Sequence, residues 1–313
     1  MIEFDNVSKK YDQKIVLAPF SLKIPEGRSL AILGPNGAGK TTLIRMALGV
    51  IPPTKGSVRI WGQSATEASF TLKRRIGVVL EEQNFMLHVT AQQYLQFFGE
   101  LYEVENSSSR IHELMRFMEL EGVLDKKIST FSTGMKRKLN IIQAVLHSPD
   151  VLFVDELFSG LDPIGITLTM QLLRELKAHG TTLILSSHIL SDLDELVDDV
   201  LILNEGNLVV AGTKEALWLE LGMLSVGKVE VGESQKSLFI NILKSLDVKQ
   251  IQEELNGIVE FLVPNKISNF KQSLATLILE NKVQMMSISY TKPRLQQLYA
   301  QVLGWEKTGN HAL

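Results

Sequence analysis

Residues 29–49 read SLAIL, GPNGAGKTT, LIRMALG. Ser29 to Leu33 form an apolar run of strand length. Gly34 to Thr42 are rich in glycine, and Leu43 to Gly49 continue with helical character. Strand, loop and helix therefore follow in that order. Within the loop, Gly34-Pro35-Asn36-Gly37-Ala38-Gly39-Lys40-Thr41 fits G-x-x-x-x-G-K-[ST]. The glycines let backbone N–H groups close around phosphate oxygens, and the helix N-terminus adds positive potential. Lys40 is then placed to reach the β- and γ-phosphates, and the Thr41 hydroxyl, next to Thr42, to ligate Mg²⁺. A plain glycine turn with a solvated lysine is the alternative. The strand–helix context favours nucleotide binding.

Downstream, VLFVDE at 151–156 delivers Asp155 and Glu156 to the end of an apolar strand, the edge at which open parallel sheets hold ligands. Asp155 suits Mg²⁺ coordination through water, and Glu156 suits positioning of an attacking water as general base. The helix-like stretch 164–180, the strand-like TTLILSS at 181–187 and Val200–Leu203 extend the β–α–β alternation of a buried parallel sheet. The turn Asn204–Asn207 ends that series. IPPTKGSVRIWG at 51–62 predicts a turn back into a strand. Between the two motifs, helical stretches at 92–102, 110–120 and 133–146, with ENSSSR at 105–110 as a polar loop, predict a helical insert over about 85–147. Beyond residue 222 the order becomes strand VEV at 229–231, helix 235–246, strand VKQIQ, strand IVEFLV, helix 265–281 and strand VQMMSIS, a β–α–β–β–α–β series. Leu238, Phe239, Ile242, Leu243 and Leu246, and Ile267, Phe270, Leu274, Leu277 and Ile278, recur at helical spacing, so each helix has one face to bury.

Composition narrows the function classes. The 313 residues are 45% hydrophobic and 21% charged, as in folded globular proteins, and 32 Lys+Arg against 35 Asp+Glu leave a net charge of −3. That balance provides no field for a polyanion, so nucleic acid is not an expected partner. The chain has no cysteine, which excludes disulfides and thiolate chemistry. No second His or Cys stands at ligand spacing to suggest a histidine metal site. Met1 to Asp5 lack a secretory pattern, and no stretch approaches the roughly 20 apolar residues that span a bilayer, so a cytosolic chain is expected. Mean hydropathy of +0.10 leaves room for an apolar docking surface.

Over roughly residues 1 to 220 these motifs resemble the nucleotide-binding subunits of ATP-binding cassette transporters. The most specific element is FSTGMKRK at 131–138, similar to that family's LSGGQ signature and about twenty residues before the acidic pair. The resemblance implies that Ser132, Thr133, Gly134 and Met135 face the γ-phosphate held by a partner subunit. Ser132 and Thr133 also fit a plain helix N-cap. Lys136-Arg137-Lys138 reads as a solvated helix face. Ser159-Gly160-Leu161-Asp162 matches the family's D-loop, with Asp162 equally an ordinary helix start before Pro163. His188 matches the switch histidine that contacts the γ-phosphate, and Tyr11 lies where the family stacks an aromatic ring on adenine, with Val16 nearby.

Four positions depart from the family pattern. Glu81 stands where the family places a metal-sensing glutamine, with Gln83 two residues on; Thr133 replaces a glycine, Met135 a glutamine, and Leu157 the proline after Asp-Glu. A carboxylate at Glu81 can still ligate Mg²⁺. The expectation is an α/β P-loop ATPase core over 1–222, with an antiparallel N-terminal subdomain and a helical insert, followed by a small α+β domain over 223–313. The implied function is ATP hydrolysis with Mg²⁺ by a homodimer or paired cassette. It would power a multi-span permease on a separate chain at the inner face of the cell membrane, in the direction of export. The permease would press a helix into a groove near Glu81–Leu87. A non-transport cassette acting on ribosomes or DNA is disfavoured by the single cassette and the lack of extended heptads. A small-molecule kinase would have no use for FSTGM or His188.

Overall fold

The apolar run Ser29–Leu33 is strand β3, with all five residues buried, at the middle of a six-stranded sheet. We describe residues 1–80, 85–156, 158–187, 190–248, 250–253, 257–263 and 267–304 of a computed structural model. The described chain divides into two units, Met1–Thr213 and Lys214–Leu313.

In the first unit the strands are β1 (Ile2–Tyr11), β2 (Lys14–Ile24), β3, β4 (Lys55–Ile60), β5 (Gln63–Ser64), β6 (Ile76–Val79), β7 (Val151–Val154), β8 (Thr182–Ser186), β9 (Asp199–Asn204) and β10 (Asn207–Thr213). The helices are α1 (Lys40–Ala47), α2 (Phe70–Lys73), α3 (Ala91–Leu101), α4 (Ser107–Phe117), α5 (Thr133–Val145) and α6 (Pro163–Ala178). The main sheet has the order β10-β9-β3-β8-β7-β6. Strands β6, β7, β8, β3 and β9 are parallel, and only β10 turns back, as a hairpin partner of β9. The loops after β3, β7 and β8 thus leave from one edge, and β8 lies between the two motif-bearing strands.

A second sheet, β2-β1-β4-β5, is antiparallel. Its alternating Ile2, Phe4, Leu17 and Ile60 pack with Leu43, Ile44 and Met46 of α1 and with Leu30 and Ile32 of β3 in one cluster, which clamps α1 between the sheets. In the helical insert, Thr90 caps α3 through a reciprocal pair with Gln93. The polar stretch 105–110 is not all loop: α4 already begins at Ser107, after Asn106 at φ 52°.

The second unit begins with α7 (Lys214–Glu220), nine residues ahead of the boundary expected from the sequence. The reason is a tie to the last helix, α10 (Leu295–Leu303), in which Gln301 Nε2 donates to Leu221 O at 2.8 Å. Between them run β11 (Ser225–Val231), α8 (Glu233–Ser245), β12 (Ile251–Glu253), β13 (Ile258–Val263), α9 (Ile267–Glu280) and β14 (Met285–Thr291). The sheet is antiparallel in the order β12-β13-β11-β14. Phe239, Ile242 and Leu243 of α8 and Phe270, Leu274 and Ile278 of α9 bury against Val229, Val259 and Phe261. Leu238 is instead exposed. Among the described residues no helix is long and apolar enough to cross a membrane.

Candidate active site

The loop between β3 and α1 takes a shape only glycine tolerates. Gly34 has φ +154°, and a Cβ there would lie 2.4 Å from Leu203 O; Gly39, which caps α1 at φ 106°, would meet a Leu17 methyl at 2.6 Å. Lys40, at the first position of α1, is only 8% exposed, and its ammonium donates to Gly34 O at 2.9 Å and Pro35 O at 3.4 Å. Thr41 Oγ1 donates to Asp155 Oδ2 at 2.8 Å. Across 114 residues of sequence, the loop and the end of β7 thus meet directly.

Asp155 is buried, and its second oxygen, Oδ1, accepts from Ser186 Oγ at 2.6 Å. The same Ser186 Oγ accepts the Glu156 N–H at 2.9 Å. Ser186 comes from β8, whose place between β3 and β7 inserts its hydroxyl between the two motifs. Glu156 has φ +52°, an uncommon left-handed conformation for a non-glycine residue, and its Oε1 lies 3.9 Å from Lys40 Nζ. This ion pair lies in the wall of a cleft of about 1160 Å³, lined also by Lys14, Ile15, Val16, Asn36, Gly37, Ala38, Gly39, Thr41, Thr42, Ser159, Glu205 and Gly206. The cleft is large enough for a nucleoside triphosphate.

Oxygen donors alone converge at Thr41 and Asp155, the hard set that suits Mg²⁺. Tyr11 lies outside the lining of the cleft. It is 47% exposed, and Lys9 Nζ stands 5.0 Å from its ring centroid. Ser132 and Thr133 are exposed, and Ser132 Oγ caps α5 by accepting Met135 N–H at 3.2 Å. Gly134 lies so near the next loop that a Cβ would be 3.1 Å from Gly160 O. Asp162 caps α6 by accepting Gly165 N–H at 2.8 Å. The segments 132–135 and 159–162 therefore pack together, with Ser159 reaching the cleft. Glu81, Gln83, Leu157 and His188 lie outside the described residues.

The expectation of a solvated Lys136-Arg137-Lys138 is corrected for two of its three members. Arg137 and Lys138 are 6% and 8% exposed, and every residue of α5 from Arg137 to Val145 is buried. A buried charge requires hydrogen bonds, and the Arg137 guanidinium has them in the carbonyls of Leu80, Asp155 and Glu156. Its spacing from Ile141 and Val145, on one helix stripe, was the available signal. Ser186, Lys14 and Glu205 were also missed. A lone serine at a strand end and charges in hairpin turns carry no local signature.

The match to a family model described as ABC transporter covers residues 17–159. The Nod factor export ATP-binding protein I of Paraburkholderia xenovorans is 35% identical over 69% of this chain and 72% of its own length. The chain belongs to the ABC transporter family. Similarity also spans both units: the linearmycin resistance ATP-binding protein LnrL of Bacillus subtilis is 28% identical over 97% of this chain and 98% of its own. Among solved structures, an ATP-binding subunit of an ABC transporter aligns with 29% identity and a TM-score of 0.67, covering 71% of this chain and 94% of that one. The P-loop core with its helical insert is that of an ABC ATPase, and the matched segment carries Lys40, Thr41, the 132–135 segment, Asp155 and Glu156.

Proposed function

We propose that the chain is the ATP-hydrolysing subunit of an export-type ABC transporter, with Glu156 as the general base and two copies closing around two nucleotides. The observation that carries the reading is the convergence of Lys40, Thr41, Asp155 and Glu156 at one sheet edge. Triphosphate oxygens would take over the Lys40 ammonium from the loop carbonyls, with the loop N–H groups around them. Thr41 and Asp155 would hold Mg²⁺, which when bound offsets the charge of the β- and γ-phosphates. Glu156, beside Lys40, would orient the attacking water and take its proton. His188 and Glu81 enter as γ-phosphate and metal contacts from the family resemblance alone.

Ser132, exposed and outside the lining of its own chain's cleft, and the partly exposed Gly134 suit completion of a second copy's site, and Asp162 suits communication across that pairing. Tyr11 is proposed to stack on adenine through its half-exposed ring. Export follows from the FSTGM variant and from the relative named for Nod factor export. With no described helix able to span a bilayer, the translocating half would be a separate permease, holding this chain at the cytoplasmic membrane face.

Glu156→Gln should keep ATP binding while turnover falls by roughly 10²-fold or more. Undiminished turnover removes Glu156 from the mechanism. Lys40→Ala should abolish the binding of a fluorescent ATP analogue, and retained binding would contradict the phosphate assignment. Detergent co-purification with a multi-span protein tests the permease.

A further inference from the structure

Glu156 is held in a backbone conformation that it would not choose by itself. Its φ of +52° lies in the left-handed region, which a side chain with a Cβ adopts only when its surroundings require it. Both polar groups of its backbone are gripped by other elements. Its N–H goes to Ser186 Oγ of β8 at 2.9 Å, and its carbonyl accepts from Arg137 Nη2 of α5. Arg137 also donates from Nη2 to Asp155 O at 2.8 Å and from Nη1 to Leu80 O at 2.6 Å. One planar guanidinium thus spans the ends of the neighbouring strands β6 and β7 and the turn that carries the carboxylate.

We propose that Arg137 is a positioning residue for Glu156. It pins the Asp155–Glu156 peptide in the left-handed turn that sets the carboxylate beside Lys40 in the wall of the cleft, and it carries that constraint on α5, the helix capped by Ser132. The inference rests on the reading of Glu156 as the general base. Lysine in place of Arg137 could reach one or two of the carbonyls, but it lacks the fork that joins them in one plane. Glutamine at this depth has a shorter reach still.

The test is a kinetic cycle on the full chain, with Arg137→Gln and Arg137→Lys made in the wild-type and Glu156→Gln backgrounds. Binding of a fluorescent ATP analogue is measured for each. Arg137→Gln should lower kcat about tenfold or more, with KM and analogue affinity within about threefold of wild type, and Arg137→Lys should recover part of the loss. In the Glu156→Gln background the same changes should cost less than about twofold further, because the group being positioned is already disabled. Loss of analogue affinity in proportion to kcat, or an equal loss in both backgrounds, would overturn the proposal, as would unaltered kcat. If Arg137→Gln does not fold, the kcat-against-KM split of Arg137→Lys decides. Retained turnover in Glu156→Gln alone would sink the assignment of the base. A normal Arg137→Lys and Arg137→Gln beside a dead Glu156→Gln would sink only the role of Arg137.

Discussion

Ser186 shows how much of this site depends on a single small side chain. Its hydroxyl donates to Asp155 Oδ1 and accepts the N–H of Glu156, so it serves both acids of the strand end at once. Ser186→Ala leaves a buried carboxylate oxygen and a backbone donor without that partner. The expected cost is about 1–3 kcal/mol of stability, seen as a lower urea midpoint, together with a fall in kcat larger than any change in nucleotide affinity. An unchanged midpoint and kcat would mean that the two acids hold themselves. The lysine, threonine and acidic pair were legible in the sequence, because each motif packs its chemistry into a few consecutive residues. Ser186 was not, since its role exists only once β8 is inserted between β3 and β7. Arg137 was misread for a related reason. A run of three basic residues looks solvated until the helix bearing it is seen to be buried along its length.

At the scale of elements, the helical insert is joined to the sheet by contacts that respond to pH. His147, just after α5, stacks on Tyr102, just after α3, with ring centroids 4.1 Å apart, and its Nε2 lies 3.3 Å from Ile76 O of β6. Burial pushes the His147 pKa from 6.5 down to about 4, against the hydrogen bond to Ile76 and helped by the charge of Arg74. The folded chain therefore keeps this imidazole neutral while the unfolded chain protonates it. The contribution is fully present above pH 6.5 and is lost as the pH falls toward about 4. It amounts to roughly 3 kcal/mol at the acidic end. His147→Phe, which keeps an aromatic ring against Tyr102, should flatten the dependence of Tm on pH across that window. An identical slope in the variant would remove His147 as the source. Two helix starts were also readable at this scale, as Ser132 and Asp162 each cap a helix with the side chain the sequence offered. The start of α4 was less legible, because Ser107 to Arg110 are polar residues drawn into a helix whose Ile111, Leu114 and Met115 are buried.

For the whole molecule, the proposed pairing would set the 132–135 segment, whose Ser132 and Thr133 are exposed, against the cleft of a second copy. Glu156→Gln should therefore shift from one to two chains on addition of MgATP, read as a doubling of mass by light scattering, and Lys40→Ala should not. A mass that stays that of one chain, with nucleotide bound, would rule out the pairing. The amino-acid sequence by itself determined the strand–loop–helix with its lysine, the acid pair ending an apolar strand and the β–α–β–β–α–β series of the second unit, because periodicity and turn chemistry are local. Only the tertiary structure decided that β8 separates the two motif strands, that Thr41 meets Asp155 across 114 residues, and that a buried arginine grips the turn at Glu156. Strand order and the environment of a charge depend on which distant segments pair, and the pattern within any one segment carries no record of that choice.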